Sequence, residues 1–127
     1  MLEQASRRGI YRRLHLSEIV EWLDQASRDS MVFDLILSAD VFIYIGDLKP
    51  VFAAVRPLLI SGGLFVFSVE HLAHGSVELR SNGRYAHSVE YVREMARAYH
   101  FKIEIYEEGD LRREVGEMII GAAYVLS

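Results

Sequence analysis

Two apolar runs constrain this chain more than any other feature: Met31-Val32-Phe33-Asp34-Leu35-Ile36-Leu37-Ser38 and Leu64-Phe65-Val66-Phe67-Ser68-Val69-Glu70. Each is short and almost continuously apolar, the pattern of a strand covered on both faces, as in a parallel sheet with helices above and below. Between them, Asp47 to Leu59 reads as a helix with Asp47 as N-cap. Pro50 falls in its first turn, where a missing N–H costs little. Ala39-Asp40-Val41-Phe42-Ile43-Tyr44-Ile45-Gly46 is a loop or a turn of helix before it. Ser61-Gly62-Gly63 ends the helix and turns the chain into the second strand. Strand, helix, Gly-Gly, strand is a βαβ unit, with a right-handed crossover expected.

The flanks extend this unit. Met1 to Arg13 reads as a short helix broken at Gly9, and Leu14-His15-Leu16 as a very short strand. Ser17 is the expected cap of a helix carrying Ile19, Val20, Trp22 and Leu23 as its apolar stripe, fading near Ser27–Ser30. Polar, glycine-bearing His71 to Ser88 reads as a long loop on the carboxyl side of the sheet. Ser88 then caps a helix to about Tyr99, with Val89, Val92, Met95, Ala96 and Tyr99 at helical spacing. Phe101 to Tyr106 alternates as a strand, Glu107 to Glu117 is a charged turn region, and Met118 to Leu126 is a last apolar strand. Those two strands follow one another without a helix, so an antiparallel hairpin is expected. The fold class is α/β, in a single domain over residues 1–127.

Composition narrows the function classes. The 127 residues are 51% hydrophobic and 25% charged, enough apolar content for a core, which excludes general disorder. Absence of cysteine excludes a disulfide framework, a thiolate zinc site and a cysteine nucleophile. Lys and Arg number 14 against 18 Asp and Glu, and this net charge of −4 argues against a nucleic-acid groove. No apolar run nears the roughly 20 residues that span a bilayer, and Met1-Leu2-Glu3-Gln4 lacks the form of a signal peptide. A cytoplasmic protein with no membrane and no nucleic-acid partner is the expectation.

Several residues carry chemistry without settling it. Arg7, Arg8, Arg12 and Arg13 form a basic cluster that is either an anion contact or a solvated face. His71 and His74 with Glu70 lack a convincing third ligand, so no metal site is expected. His87 beside Ser88 is no hydrolase signal, because no glycine-flanked elbow surrounds the serine.

The segments Phe33-Asp34-Leu35-Ile36-Leu37-Ser38-Ala39-Asp40-Val41 and Leu58-Leu59-Ile60-Ser61-Gly62-Gly63-Leu64-Phe65-Val66-Phe67-Ser68 resemble the middle of a class I S-adenosylmethionine-dependent methyltransferase. Gly83-Arg84-Tyr85-Ala86-His87-Ser88, with Tyr91-Val92 leading into Phe101, resembles the small-molecule branch found fused to tetratricopeptide repeats. The resemblance implies a partial Rossmann-like sheet ending in an antiparallel hairpin. It also implies S-adenosyl-L-methionine as cofactor and a small-molecule methyl acceptor. The family's glycine-rich loop and its acidic ribose-holding residue have no counterpart here. The chain is therefore expected to be the C-terminal part of a methyltransferase domain, truncated at its N-terminal side.

Roles carry over by position. Glu18 stands where the family often has an acidic residue facing the adenine amino group, although it also suits a helix N-terminus. The Ile19 N–H would face the ring. Ser38, Ala39 and Asp40 lie at the crevice beyond the strand's carboxyl end, where such folds bind ligands; Asp40 also suits a loop cap. Phe42 and Tyr44 would flank cofactor or acceptor, or serve as core. Arg84 and Tyr85 would sit on the acceptor side, with His87 as a base for an acceptor that needs deprotonation. Methyl transfer from a sulfonium is an in-line displacement, so the protein mainly orients donor and acceptor. The missing first strand would leave the Phe33–Ser38 edge unpaired, so a homo-oligomer through that edge is expected. A non-catalytic methyltransferase-like binding or dimerisation module is the alternative, and a response-regulator-like α/β domain a third reading.

Overall fold

The structure, a computed structural model, describes residues 4, 18–114 and 117–127. The predicted first helix, the Leu14–Leu16 strand, the arginine cluster and the Ser17 cap lie outside these. Helix α1 (Ile19–Arg28) is capped by Glu18, whose carboxylate accepts from the Glu21 N–H at 2.9 Å. Strand β1 (Phe33–Ser38) leads through a 3₁₀ turn (Phe42–Tyr44) to α2 (Lys49–Val55) and a second 3₁₀ turn (Arg56–Leu58). Strands β2 (Leu59–His71), β3 (Val77–Leu79) and β4 (Tyr85–His87) follow, then α3 (Val89–Ala98), β5 (Ile103–Glu114) and β6 (Glu117–Leu126). No helix among the described residues is long and apolar enough to cross a membrane.

The sheet is mixed. β1 and β4 lie parallel to β2, whereas β6 is antiparallel to β2 and β5 to β6, and β3 runs antiparallel to β4. The antiparallel β5–β6 pair removes the response-regulator-like reading, which needs an all-parallel sheet.

The three helices among the described residues pack on one face of this sheet, against Phe65, Phe67, Val69, Ala122, Tyr124 and Leu126. Phe52 of α2 is the hub, edge-on to Phe65, Phe67 and Phe101 at 5.5, 5.6 and 5.6 Å. Such aromatic pairs contribute about 0.5–1.5 kcal/mol each beyond the area they bury. The expectation of helices on both faces does not hold among the described residues. Leu35 and Leu37 are 54% and 66% exposed on the opposite face. An apolar strand encodes two faces that prefer cover; it does not say what covers each.

Other boundaries also differ from the sequence reading. The helix expected over Asp47 to Leu59 spans Lys49–Val55, and Leu48, not Asp47, takes the N-cap position. Ser61-Gly62-Gly63 does not end a helix but sits inside β2 as a bulge, where pairing jumps from Phe33↔Leu59 to Leu35↔Leu64. Gly62 takes φ +83°, and a Cβ on Gly63 would sit 3.0 Å from the Ile60 carbonyl oxygen and 3.2 Å from those of Phe33 and Asp34. The loop expected over His71 to Ser88 contains the β3–β4 hairpin. Residues 107–114, expected as a turn, extend β5 instead, since a hairpin running past the sheet needs no apolar alternation.

Candidate functional site

Ser38 closes β1, and the chain then reverses through Asp40, which adopts φ +56°. Aspartate tolerates this left-handed conformation better than most residues. The Asp40 N–H donates to Ser68 Oγ at 3.2 Å, which ties the turn to β2. Phe42 then drops into the core beside Phe65 and Phe67.

These turns create a cavity of about 270 Å³ at the carboxyl end of β1. Ile19 from the start of α1, Ser38 and Ala39 from the end of β1, and Phe42 all line it. The Ser38 Oγ is buried with no hydrogen-bond partner among the described residues. A buried hydroxyl without a partner costs about 1–3 kcal/mol, and Ser38 is also one of the lining residues, so it is the polar side chain there with a hydrogen bond still to make. The cavity falls just below the ~300 Å³ at which small-molecule pockets begin. It suits a ring system, not a nucleoside with an amino-acid tail.

The remaining candidates distribute around this centre. Glu18 adjoins Ile19, but its carboxylate is engaged as the α1 cap. Asp40 is exposed and does not line the cavity, and Tyr44 is exposed on the 3₁₀ turn. Tyr85, His87 and Tyr91 instead latch the loop between β1 and α2. A Cβ on Gly46 would lie 2.8 Å from Tyr85 Cε1, so that ring lies directly on the glycine. His87 Nε2 lies 3.0 Å from the Gly46 carbonyl oxygen, and the Leu48 N–H donates to the Tyr91 hydroxyl at 2.8 Å. A carbonyl oxygen only accepts, so Nε2 carries the proton. Burial pushes the His87 pKa down, opposed by its backbone contacts at Gly46 and Ile45, and the ring is fully enclosed. Arg84 lies in the β3–β4 turn, its N–H donating to Asn82 Oδ1 at 2.9 Å.

One polar pair escaped the sequence reading. Glu70 is fully buried and accepts from Arg80 Nη1 at 3.2 Å, while Arg80 Nη2 donates to the His71 carbonyl at 2.8 Å. A carboxylate ending an apolar strand demands a cationic partner, which was the available signal. His71 Nε2 faces Glu108 Oε1 at 3.2 Å, and no three His, Asp or Glu side chains gather as a metal cluster among the described residues.

Solved structures share this architecture. An S-adenosylmethionine-dependent methyltransferase from Clostridium acetobutylicum matches with a TM-score of 0.66 at 18% identity, over 98% of this chain and 68% of its own. TehB from Haemophilus influenzae matches with a TM-score of 0.69 at 13% identity, over 98% and 44%. The [4+2]-cyclase SpnF matches with a TM-score of 0.73 at 12% identity, over 98% and 59%. The chain thus spans 44% to 68% of the length of these three proteins. At such identities the likeness is one of fold: this is the α/β fold of S-adenosylmethionine-dependent methyltransferases, which a cyclase also uses. No family model matches the sequence, nor does any curated protein match it.

Proposed function

We propose that this chain forms the adenine-side and acceptor-side part of a cytoplasmic methyltransferase of the small-molecule branch, dependent on S-adenosyl-L-methionine. The observation that carries this reading is the convergence of Ile19, Ser38 and Ala39 on one cavity with an unpartnered Ser38 hydroxyl. When bound, S-adenosylmethionine supplies an electrophilic methyl group on a sulfonium. Ile19 and Phe42 would enclose the base, and Ser38 would offer it a hydrogen bond. The small volume fits a division in which the glycine-rich loop for the amino-acid end comes from outside these 127 residues. Tyr44, Arg84 and Tyr85 are assigned to the acceptor side. His87 is assigned a positioning role, because its ring is fully enclosed: Nε2 donates to Gly46, and Nδ1, the nitrogen left to accept a proton, is buried with no partner among the described residues.

Calorimetric titration with S-adenosylhomocysteine tests the reading. Saturable micromolar binding, weakened in Ser38→Ala, is expected. Absence of binding up to millimolar ligand would overturn it for this chain.

A second reading rests on a different observation. Among the described residues β1 pairs with β2 alone, and the apolar side chains beside that edge are exposed. We propose that the chain self-associates there, so that a binding or dimerisation module is what remains if the titration fails. Sedimentation equilibrium at tens of micromolar tests this.

A further inference from the structure

A second, larger cavity lies beyond the carboxyl end of β2, between the β3–β4 hairpin and the first residues of β6. Its volume is about 860 Å³, within the ~300–1,000 Å³ typical of small-molecule sites. Three large apolar side chains, Leu79, Met118 and Ile120, line it and are 59%, 37% and 40% exposed. They belong to two different hairpins, so the apolar surface is composed by the fold and not by one local run.

The charge of its described wall is unlike that of an anion site. Arg80 is the guanidinium on the wall, and its Nη1 and Nη2 are occupied by Glu70 and the His71 carbonyl. Glu70 is wholly enclosed, so drawing Arg80 toward an incoming anion would leave a buried carboxylate unpaired. Glu78 adds a second carboxylate, 3.8 Å from Arg80 Nε, and His71 faces Glu108. Among the described residues, one guanidinium therefore stands between two carboxylates on this wall. Ser81 and Asn82 complete the wall with neutral polar groups.

We propose that this cavity binds an uncharged small molecule with an apolar body, in preference to a carboxylate of the same shape. Its use as the acceptor pocket would rest on the methyltransferase reading; its existence as a ligand site does not.

The test uses the full chain labelled with carbon-13 at the methionine methyls, the Met118 signal being assigned with Met118→Leu. Naphthalene-2-carboxamide should shift that signal saturably, and naphthalene-2-carboxylate should bind at least about tenfold more weakly. Ile120→Ser should weaken carboxamide binding. Glu78→Lys, at an exposed position, should narrow the gap between the two probes. The proposal is overturned if neither probe moves Met118 or if the carboxylate binds as tightly as the amide. It is equally overturned if saturation is indifferent to Ile120→Ser, which would place the probe on the open sheet face. Carboxamide binding without S-adenosylhomocysteine binding would remove the methyltransferase reading and leave this site. The reverse pair of results would remove this site alone.

Discussion

The two faces of the sheet are built from alternate residues of the same strands, and they meet opposite fates. On one face Phe65 and Phe67 are 0% and 1% exposed beneath three helices. On the other, the register Leu35↔Leu64, Leu37↔Val66 and Val66↔Val125 assembles a patch that no described helix covers. Ile105 extends it from β5, in register with Val125. Amphipathic sheets normally turn polar side chains to water, giving a strict alternation. Here both faces are apolar, so the sequence encodes a second covering that the described residues do not supply. Contiguous exposed apolar surface marks an interaction site or an aggregation liability.

The sharpest way to break this comparison is to remove one side chain from each face. Phe52→Ala should destabilise by about 3–5 kcal/mol, since it deletes the hub of the aromatic cluster and leaves a cavity. Leu37→Ala should change stability by less than about 0.5 kcal/mol if its face is open to water. Urea unfolding midpoints at matched slopes measure both. A Leu37→Ala cost of several kcal/mol would show that the second face is covered in solution.

The covered side also contains the His87 latch, which makes a smaller, pH-dependent contribution. Burial holds the folded pKa below 6.5, so in the unfolded chain the imidazole takes up a proton that the folded chain refuses. The unfolded state then binds more protons, and stability falls as pH drops below about 6.5. Above that value neither state is protonated and the contribution is complete. One proton sets a ceiling of about 1.4 kcal/mol per pH unit. Relative to wild type, His87→Gln should flatten the pH dependence of the melting temperature below pH 6.5. An unchanged slope would mean that the ring is not enclosed.

How much of this could be read beforehand depends on how local each signal is. Strand β1, helix α3 with its Ser88 cap and the β5–β6 hairpin were legible, because each shows its own period and its own boundary residues. The β3–β4 hairpin was not: Val77-Glu78-Leu79 and Tyr85-Ala86-His87 are too short to display a strand period. Ser61-Gly62-Gly63 looked like a helix stop because a β-bulge and a helix end call for the same conformational freedom. Convergence of Ile19 with Ser38 and Ala39 depends on packing between α1 and β1, which no spacing reveals; the resemblance to a methyltransferase pointed there. Glu70 announced its need of a cation, but its partner Arg80 lies across a hairpin that the sequence hid.

The smallest effect on the stability of the monomer itself is expected from a substitution that should matter most to association. Leu37→Lys adds a charge to the most exposed residue of the open patch, on the β1 edge strand that pairs with β2 alone among the described residues. Lysine at such an edge blocks strand addition from another chain and keeps the patch hydrated. If a second copy covers this face, wild type should sediment as a dimer or larger species at tens of micromolar, and Leu37→Lys as a monomer. The monomer's unfolding midpoint should then be independent of concentration, while that of wild type rises with concentration by mass action. A monodisperse wild-type monomer would remove self-association. The apolar second face would then be left to a different chain or to residues outside the described part, which would distinguish the two faces by partner and not by packing strength.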